Sequence, residues 1–116
     1  MPEVASVGLT EKEARERYSQ VKISKFPYMA NGKALGMRET EGLVKIVADE
    51  DTFEILGLHI LGAHASDLIA EGALALSMEA TAEDIIDTIH AHPTLAEIIA
   101  EAAEGIVGKP IHLARV

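Results

Sequence analysis

Apolar and polar residues follow three different rhythms along this chain, and each rhythm predicts a different kind of element. Val4 to Leu9 is short and partly β-branched, as a strand would be. Thr10-Glu11-Lys12-Glu13 has the form of a capping box, in which a hydroxyl and a carboxylate satisfy the free amides at a helix start. The helix it opens is polar, with Glu11–Arg15 and Glu13–Arg17 spaced i,i+4. Only Ala14 and Tyr18 offer an apolar face, which predicts a surface helix. Val21 and Ile23 then alternate with Lys22 and Ser24 in a half-buried strand that Pro27 confines to an edge or an end. Residues 29 to 42 hold three glycines and read as a loop.

Leu43 to Ala48 and Phe53 to Leu61 carry the strongest strand signal, and Asp49-Glu50-Asp51-Thr52 between them predicts a hairpin. Both runs are apolar on both faces, so the sheet is expected to be covered on both sides, by helices or by another subunit. The second half is helical. Asp67 to Glu79 is apolar nearly all round, interrupted mainly by Glu71 and Ser77, and is expected to lie sandwiched between layers. Thr81-Ala82-Glu83-Asp84 caps a short helix with Ala82, Ile85, Ile86 and Ile89 on one face. Thr94 then opens a helix with Leu95, Ile98, Ile99, Ala102 and Ile106 inward and Glu97, Glu101 and Glu104 outward, ended by Gly105 or Gly108. Strands first and helices later indicate an α+β fold, an antiparallel sheet covered by helices.

Composition narrows the function classes. The 116 residues suit one domain over 1–116, with a core built from Ala, Ile, Leu and Val because aromatics are only 3%. A net charge of −9 argues against nucleic acid, whose phosphates demand a surplus of Lys and Arg, and against an anionic membrane surface. No apolar run is long enough to span a bilayer. Zero cysteines exclude a disulfide scaffold and a thiol nucleophile within the chain. Met1-Pro2-Glu3 lacks the basic and apolar regions of a signal peptide, so the cytoplasm is the expected location. Pro2 to Val7 enters a strand-like segment at once, as in a domain excised from a longer protein.

The candidate chemistry lies in His90-Ala91-His92-Pro93-Thr94-Leu95-Ala96-Glu97. On spacing alone, Thr94 and Glu97 form one more capping box, like Thr10/Glu13 and the acidic variant Thr81/Asp84. The His-x-His-Pro in front opens a second reading. Proline keeps His92 extended, just outside the helix and near the turn that carries Glu97. A histidine near ~6.5 takes a proton from a thiol near ~8.5 against about 2 units, or roughly 2.7 kcal/mol. A carboxylate that stabilises imidazolium and fixes its tautomer narrows that gap, the orienting logic of a catalytic triad. His90 and His92 form a poor metal site by themselves, although His59, His64 and His112 could converge on them in space. His59, within Gly57-Leu58-His59-Ile60, reads as a satisfied core or interface residue. Gly57 to Gly62 has P-loop spacing but is followed by Ala63-His64 rather than Lys-Ser/Thr, so it is no phosphate loop.

Taken together, these blocks resemble the C-terminal interface (dimerisation) domain of the FAD- and NAD(P)-linked disulfide oxidoreductases, and most closely their dihydrolipoamide dehydrogenase branch. The resemblance runs nearly end to end. It rests on Pro2 to Glu11, Gly42-Leu43-Val44-Lys45-Ile46-Val47, Ile55 to Gly62 and above all His90 to Glu97. Glutathione-reductase relatives share the His-Pro-Thr but usually lack the His-Ala-His opening.

The resemblance implies that His92 is the acid/base that exchanges a proton with a dithiol substrate and a redox cysteine pair, and that Glu97 orients it. Each complete site is then made by two chains of a homodimer. The His92–Pro93 bond would be cis, with the backbone of His92 and Pro93 towards the partner's flavin ring. His90 would be structural, and no metal is called for. The parent would carry FAD and NAD in domains of their own and oxidise dihydrolipoyl groups on carrier domains. This chain alone would hold no cofactor and would be inactive. Two other readings stand beside this one: a free-standing homodimerisation module without catalysis, and a His-based metal-binding domain.

Overall fold

A computed structural model describes residues 2–108, which form four antiparallel strands and five α-helices. In chain order these are β1 (Glu3–Gly8), α1 (Glu11–Arg17), β2 (Val21–Pro27), α2 (Gly32–Met37), β3 (Gly42–Asp49), β4 (Ile55–Gly62), α3 (Ala65–Ser77), α4 (Ala82–Asp87) and α5 (Glu97–Val107). The strands lie in the order β1-β4-β3-β2, with the β3–β4 hairpin at the centre. β2 is an edge strand, and Pro27 is its last residue, opposite Leu43. A proline tolerates that place because no ladder bond is lost there.

Strand alternation divides the apolar residues between two faces. Phe26, Val44, Ile46, Leu58 and Ile60 face α3 and α5 and are fully buried with Ile98, Ile99, Ala102 and Ile106 of α5. On the opposite face, Val21, Val47 and Leu56 pack against Ala14 of α1. The coverage expected on both sides is therefore uneven within one chain. α1 covers one end of the second face, while Val4 and Leu61 at the other end stay exposed.

The caps explain why α1 and α4 begin where they do. Thr10 and Glu13 exchange both bonds of a capping box, as do Thr81 and Asp84. Glu13 is thereby committed to the cap, and the Thr10 backbone N–H holds its carboxyl below the usual range. Glu11 meets Lys45 as well as Arg15, both at 3.0 Å, and these cations lower its carboxyl likewise.

Four expectations need correction. Residues 29–42 are not one loop. A 3₁₀ turn spans Tyr28–Ala30, and α2 follows because Asn31 caps it, accepting the Ala34 N–H at 2.9 Å. The glycines there were misleading: Gly32 merely opens the helix. Second, α3 is not sandwiched among the described residues. Its Gly72 face lies so close to β4 that a Cβ would sit 2.5 Å from Leu58 Cδ2, while Leu74 on the opposite side is 64% exposed. Third, Ile89 does not join Ile85 inward. α4 stops at Asp87, Thr88 is extended, and Ile89 is 95% exposed. Fourth, Glu101 is buried rather than outward.

Tyr28 closes the sheet at the hairpin's far end. Its ring covers Gly62, whose φ of +153° and whose missing Cβ both suit the contact, and its hydroxyl donates to the Ala63 carbonyl at 2.7 Å. Burial pushes this phenol up to about 12 from 10.0. A raised folded value means that the neutral form is favoured by folding, so its contribution is complete below about pH 10 and disappears as pH rises towards 12. Urea unfolding midpoints should fall across that window, and Tyr28→Phe, though less stable at neutral pH, should lose most of that slope. An unchanged slope in the variant would show that another group titrates.

Candidate functional site

α5 is the helix that places the candidate residues, because its inward face is almost wholly apolar and fixes its position under the sheet. Its start differs from the predicted one. The helix begins at Glu97, and Ala96 occupies the cap position without a side-chain bond. Thr94 does not use its hydroxyl as a cap; that group donates to the Ala91 carbonyl at 2.6 Å. Half of the capping box survives, since the Thr94 N–H donates to Glu97 Oε1 at 3.0 Å.

The same carboxylate meets the histidine. His92 Nδ1 lies 3.0 Å from both Glu97 oxygens. An ionised carboxylate only accepts, so Nδ1 carries the proton and Nε2 is left as the basic nitrogen. The His92 side chain is 74% exposed and that of Glu97 24%. This is the arrangement a general base needs: an accessible nitrogen on a ring whose other nitrogen is held from behind. The choice between cap and orienting group disappears, because one carboxylate serves both donors. The His92–Pro93 peptide is cis.

His90 points the other way. Its Nε2–H donates to Glu71 Oε2 of α3 at 2.6 Å, and its side chain is only 9% exposed. From Ile89 to Pro93 the other side chains are exposed, so this pair ties the segment to the body of the domain. His59 is satisfied on both nitrogens, donating from Nε2 to the Leu9 carbonyl and accepting the Ser6 hydroxyl at Nδ1, each at 2.9 Å. His64 stands 3.8 Å from Asp67, far from His92 in the fold's order, and His112 lies outside the described residues. Among the described residues no three His, Asp or Glu side chains converge as a metal site would require. Gly57 to Gly62 lies within β4, a strand rather than a phosphate-cradling turn.

Three residues at the site escaped sequence reasoning. A narrow cleft beside His92 and Glu97 is lined by Phe26, Ala30, Asn31, Gly32 and Glu101. Glu101 sits one turn beyond Glu97, so its place on the same side was legible from i,i+4 spacing. Asn31 was hidden by its Asn-Gly pair, which suggests a turn as readily as a helix cap. Glu71 carries no local signal of its pairing with His90, nineteen residues away.

The sequence model of the family described as "Pyridine nucleotide-disulphide oxidoreductase, dimerisation domain" matches residues 1–103. A dihydrolipoyl dehydrogenase of Bacillus subtilis is 56% identical over 111 residues, covering 96% of this chain and 23% of that protein. A mitochondrial dihydrolipoyl dehydrogenase of Pisum sativum is 49% identical over 112 residues, covering 97% and 22%. Among solved structures, LpdA from Mycobacterium tuberculosis matches with a TM-score of 0.84 at 26% identity, over 90% of this chain and 23% of that one. The chain thus spans about a quarter of the length of the relatives it matches.

Removing Glu71 strands the buried His90 donor, which costs about 1–3 kcal/mol. Glu71→Ala should lower the free energy of unfolding in urea by that amount at neutral pH. A change within about 0.5 kcal/mol, the range of ordinary surface substitutions, would show that water replaces the carboxylate without loss.

Proposed function

The chain belongs to the pyridine nucleotide-disulphide oxidoreductase dimerisation family, as a dihydrolipoyl dehydrogenase-like member, and on that footing we propose that it supplies the acid–base pair of a two-chain active site. The observation that carries this reading is the His92 ring, exposed at Nε2 and held through Nδ1 by Glu97 at 3.0 Å. Its substrate is a dithiol, the dihydrolipoyl group of a carrier domain. His92 Nε2 removes the proton from one thiol, and the resulting thiolate attacks a disulfide that this cysteine-free chain does not contain. Glu97 stabilises the imidazolium that forms and keeps the ring in the tautomer that can accept the next proton.

The parent's FAD and NAD belong to other domains, and the residues here fit a flavin only as an edge contact. His92 and Pro93 are both exposed, so their backbone is open to a partner's ring system. No element of the described residues forms a dinucleotide cradle. When bound in its own domain, the flavin takes up the electrons that leave the dithiol. This chain's contribution is confined to binding the partner and moving protons at His92.

Self-association has its own support. Leu74, Met78 and Ile89 are exposed around a groove between α3 and α4 that also includes Ala75, Ala80 and Ile85. Large apolar side chains grouped in this way mark a contact surface. A second copy of the chain is the partner that a dimerisation domain calls for, and the groove is where we place it.

In a flavoenzyme carrying this chain as its interface domain, His92→Gln should lower kcat/KM for dihydrolipoamide about 100- to 10,000-fold with flavin content retained. Wild-type turnover in that variant would overturn the assignment. The chain by itself should bind no flavin and show no NAD-dependent turnover; a yellow preparation would contradict the division of labour. For the groove, Leu74→Glu should shift the chain towards monomer in sedimentation velocity, and an unchanged dimer fraction would place the contact elsewhere.

A further inference from the structure

Asn31 is buried and polar, and its two side-chain groups do different things. Oδ1 accepts the Ala34 N–H at 2.9 Å and so caps α2. Nδ2 donates to the Thr94 carbonyl at 3.1 Å, across sixty-three residues of sequence. A helix cap needs only an acceptor, which Ser, Thr or Asp would provide as well. The amide donor is the additional feature of asparagine, and here it is aimed at the site.

Thr94 is the junction between that donor and the candidate pair. Its N–H donates to Glu97 Oε1 at 3.0 Å, the oxygen that also lies 3.0 Å from His92 Nδ1. Upstream, His90 and Glu71 tether the segment to α3. Downstream, the Asn31 amide grips the first residue after Pro93. The exposed His92 therefore hangs between two anchors, and Asn31 is coupled through Thr94 to the carboxylate that orients the ring.

We propose that Asn31 is a positioning residue for the His92–Glu97 pair: by fixing Thr94 it aims the Thr94 N–H at Glu97 and holds that carboxylate where it orients the imidazole. This rests on the reading of His92 and Glu97 as an acid–base pair. Asn31 touches no substrate in this scheme; it acts through Thr94.

The test separates the cap from the grip. Asn31→Asp retains an acceptor for α2 but cannot donate to the Thr94 carbonyl. Asn31→Ser also retains an acceptor and is uncharged, so it carries the test if a buried carboxylate prevents folding. The readout is the ¹⁵N spectrum of the imidazoles in the 116-residue chain, which reports the ratio of Nδ1–H to Nε2–H tautomer for neutral His92. The ratio should fall about twofold or more in both variants, while hydrogen exchange at the Ala34 amide stays slow. An asparagine that served only the cap would leave the tautomer ratio alone, because both variants keep the acceptor for the Ala34 N–H. A wild-type ratio in the folded variants would overturn the proposal. Glu97→Ala, which removes the acceptor for Nδ1–H altogether, distinguishes the two levels of inference. If it leaves the His92 ratio unchanged, the acid–base pair itself falls; if it moves the ratio while the Asn31 variants do not, only the role of Asn31 falls.

Discussion

Everything at the His-Pro corner depends on the burial of α5 beneath the sheet. Ile98, Ile99, Ala102, Ala103 and Ile106 are fully buried there against Val44, Ile46 and Leu58. Each isoleucine removed from water contributes about 1.5–3 kcal/mol, whereas a net hydrogen bond contributes about 0.5–1.5. The apolar face therefore decides where the helix lies and how it is rotated. Hydrogen bonds at its start only refine the orientation of groups that packing has already delivered. Glu97 arrives beside His92 because Ile98 and Ile99 cannot be anywhere else.

That hierarchy accounts for the division between rigid and accessible parts. The segment from Thr88 to Thr94 contributes little to the core, and exposure of His92 is compatible with a precise ring orientation only because its neighbours are anchored. His90 reaches α3, Leu95 enters the core, and Asn31 holds the carbonyl between them. The acidic start of α5 favours the helix as well, since a carboxylate in the first turn faces the positive end of the helix dipole. Stability and chemistry draw on the same charge. Val4 and Leu61 on the sheet, and Leu74 and Met78 at the end of α3, are apolar surface left exposed among the described residues.

The strands, the hairpin and both intact capping boxes were legible because their signals are local: alternation, turn residues and a four-residue cap pattern. Pro27 likewise identified an edge correctly. The errors share one origin, which is tertiary placement. Continuous apolar character in α3 says that the helix meets apolar partners, but not whether those partners lie in the same chain. Ile89 follows the helical period on paper, yet the chain leaves the helix two residues earlier. Glu101 looks solvent-facing by charge but is buried beside the cleft that His92 and Glu97 also line. For the candidate site, spacing placed His92 and Glu97 within reach of one another, while Thr94 seemed to compete for the carboxylate. It does not compete, because a carboxylate oxygen has room for two donors. Asn31 and Glu71 reach the corner from elements far away in sequence, and nothing in a short window announces them.

Glu97 Oε1 accepts both from the Thr94 backbone and from the His92 ring. One codon thus specifies two traits that are separable in principle, the entry of the chain into its last helix and the attitude of an imidazole. Loss of the side-chain oxygen removes both at once. A shorter aspartate would forfeit both contacts together, and a neutral glutamine would alter the imidazole's electrostatic partner even while preserving the backbone bond. Two demands, one from the folding of the last helix and one from the imidazole, thus fall on a single oxygen atom.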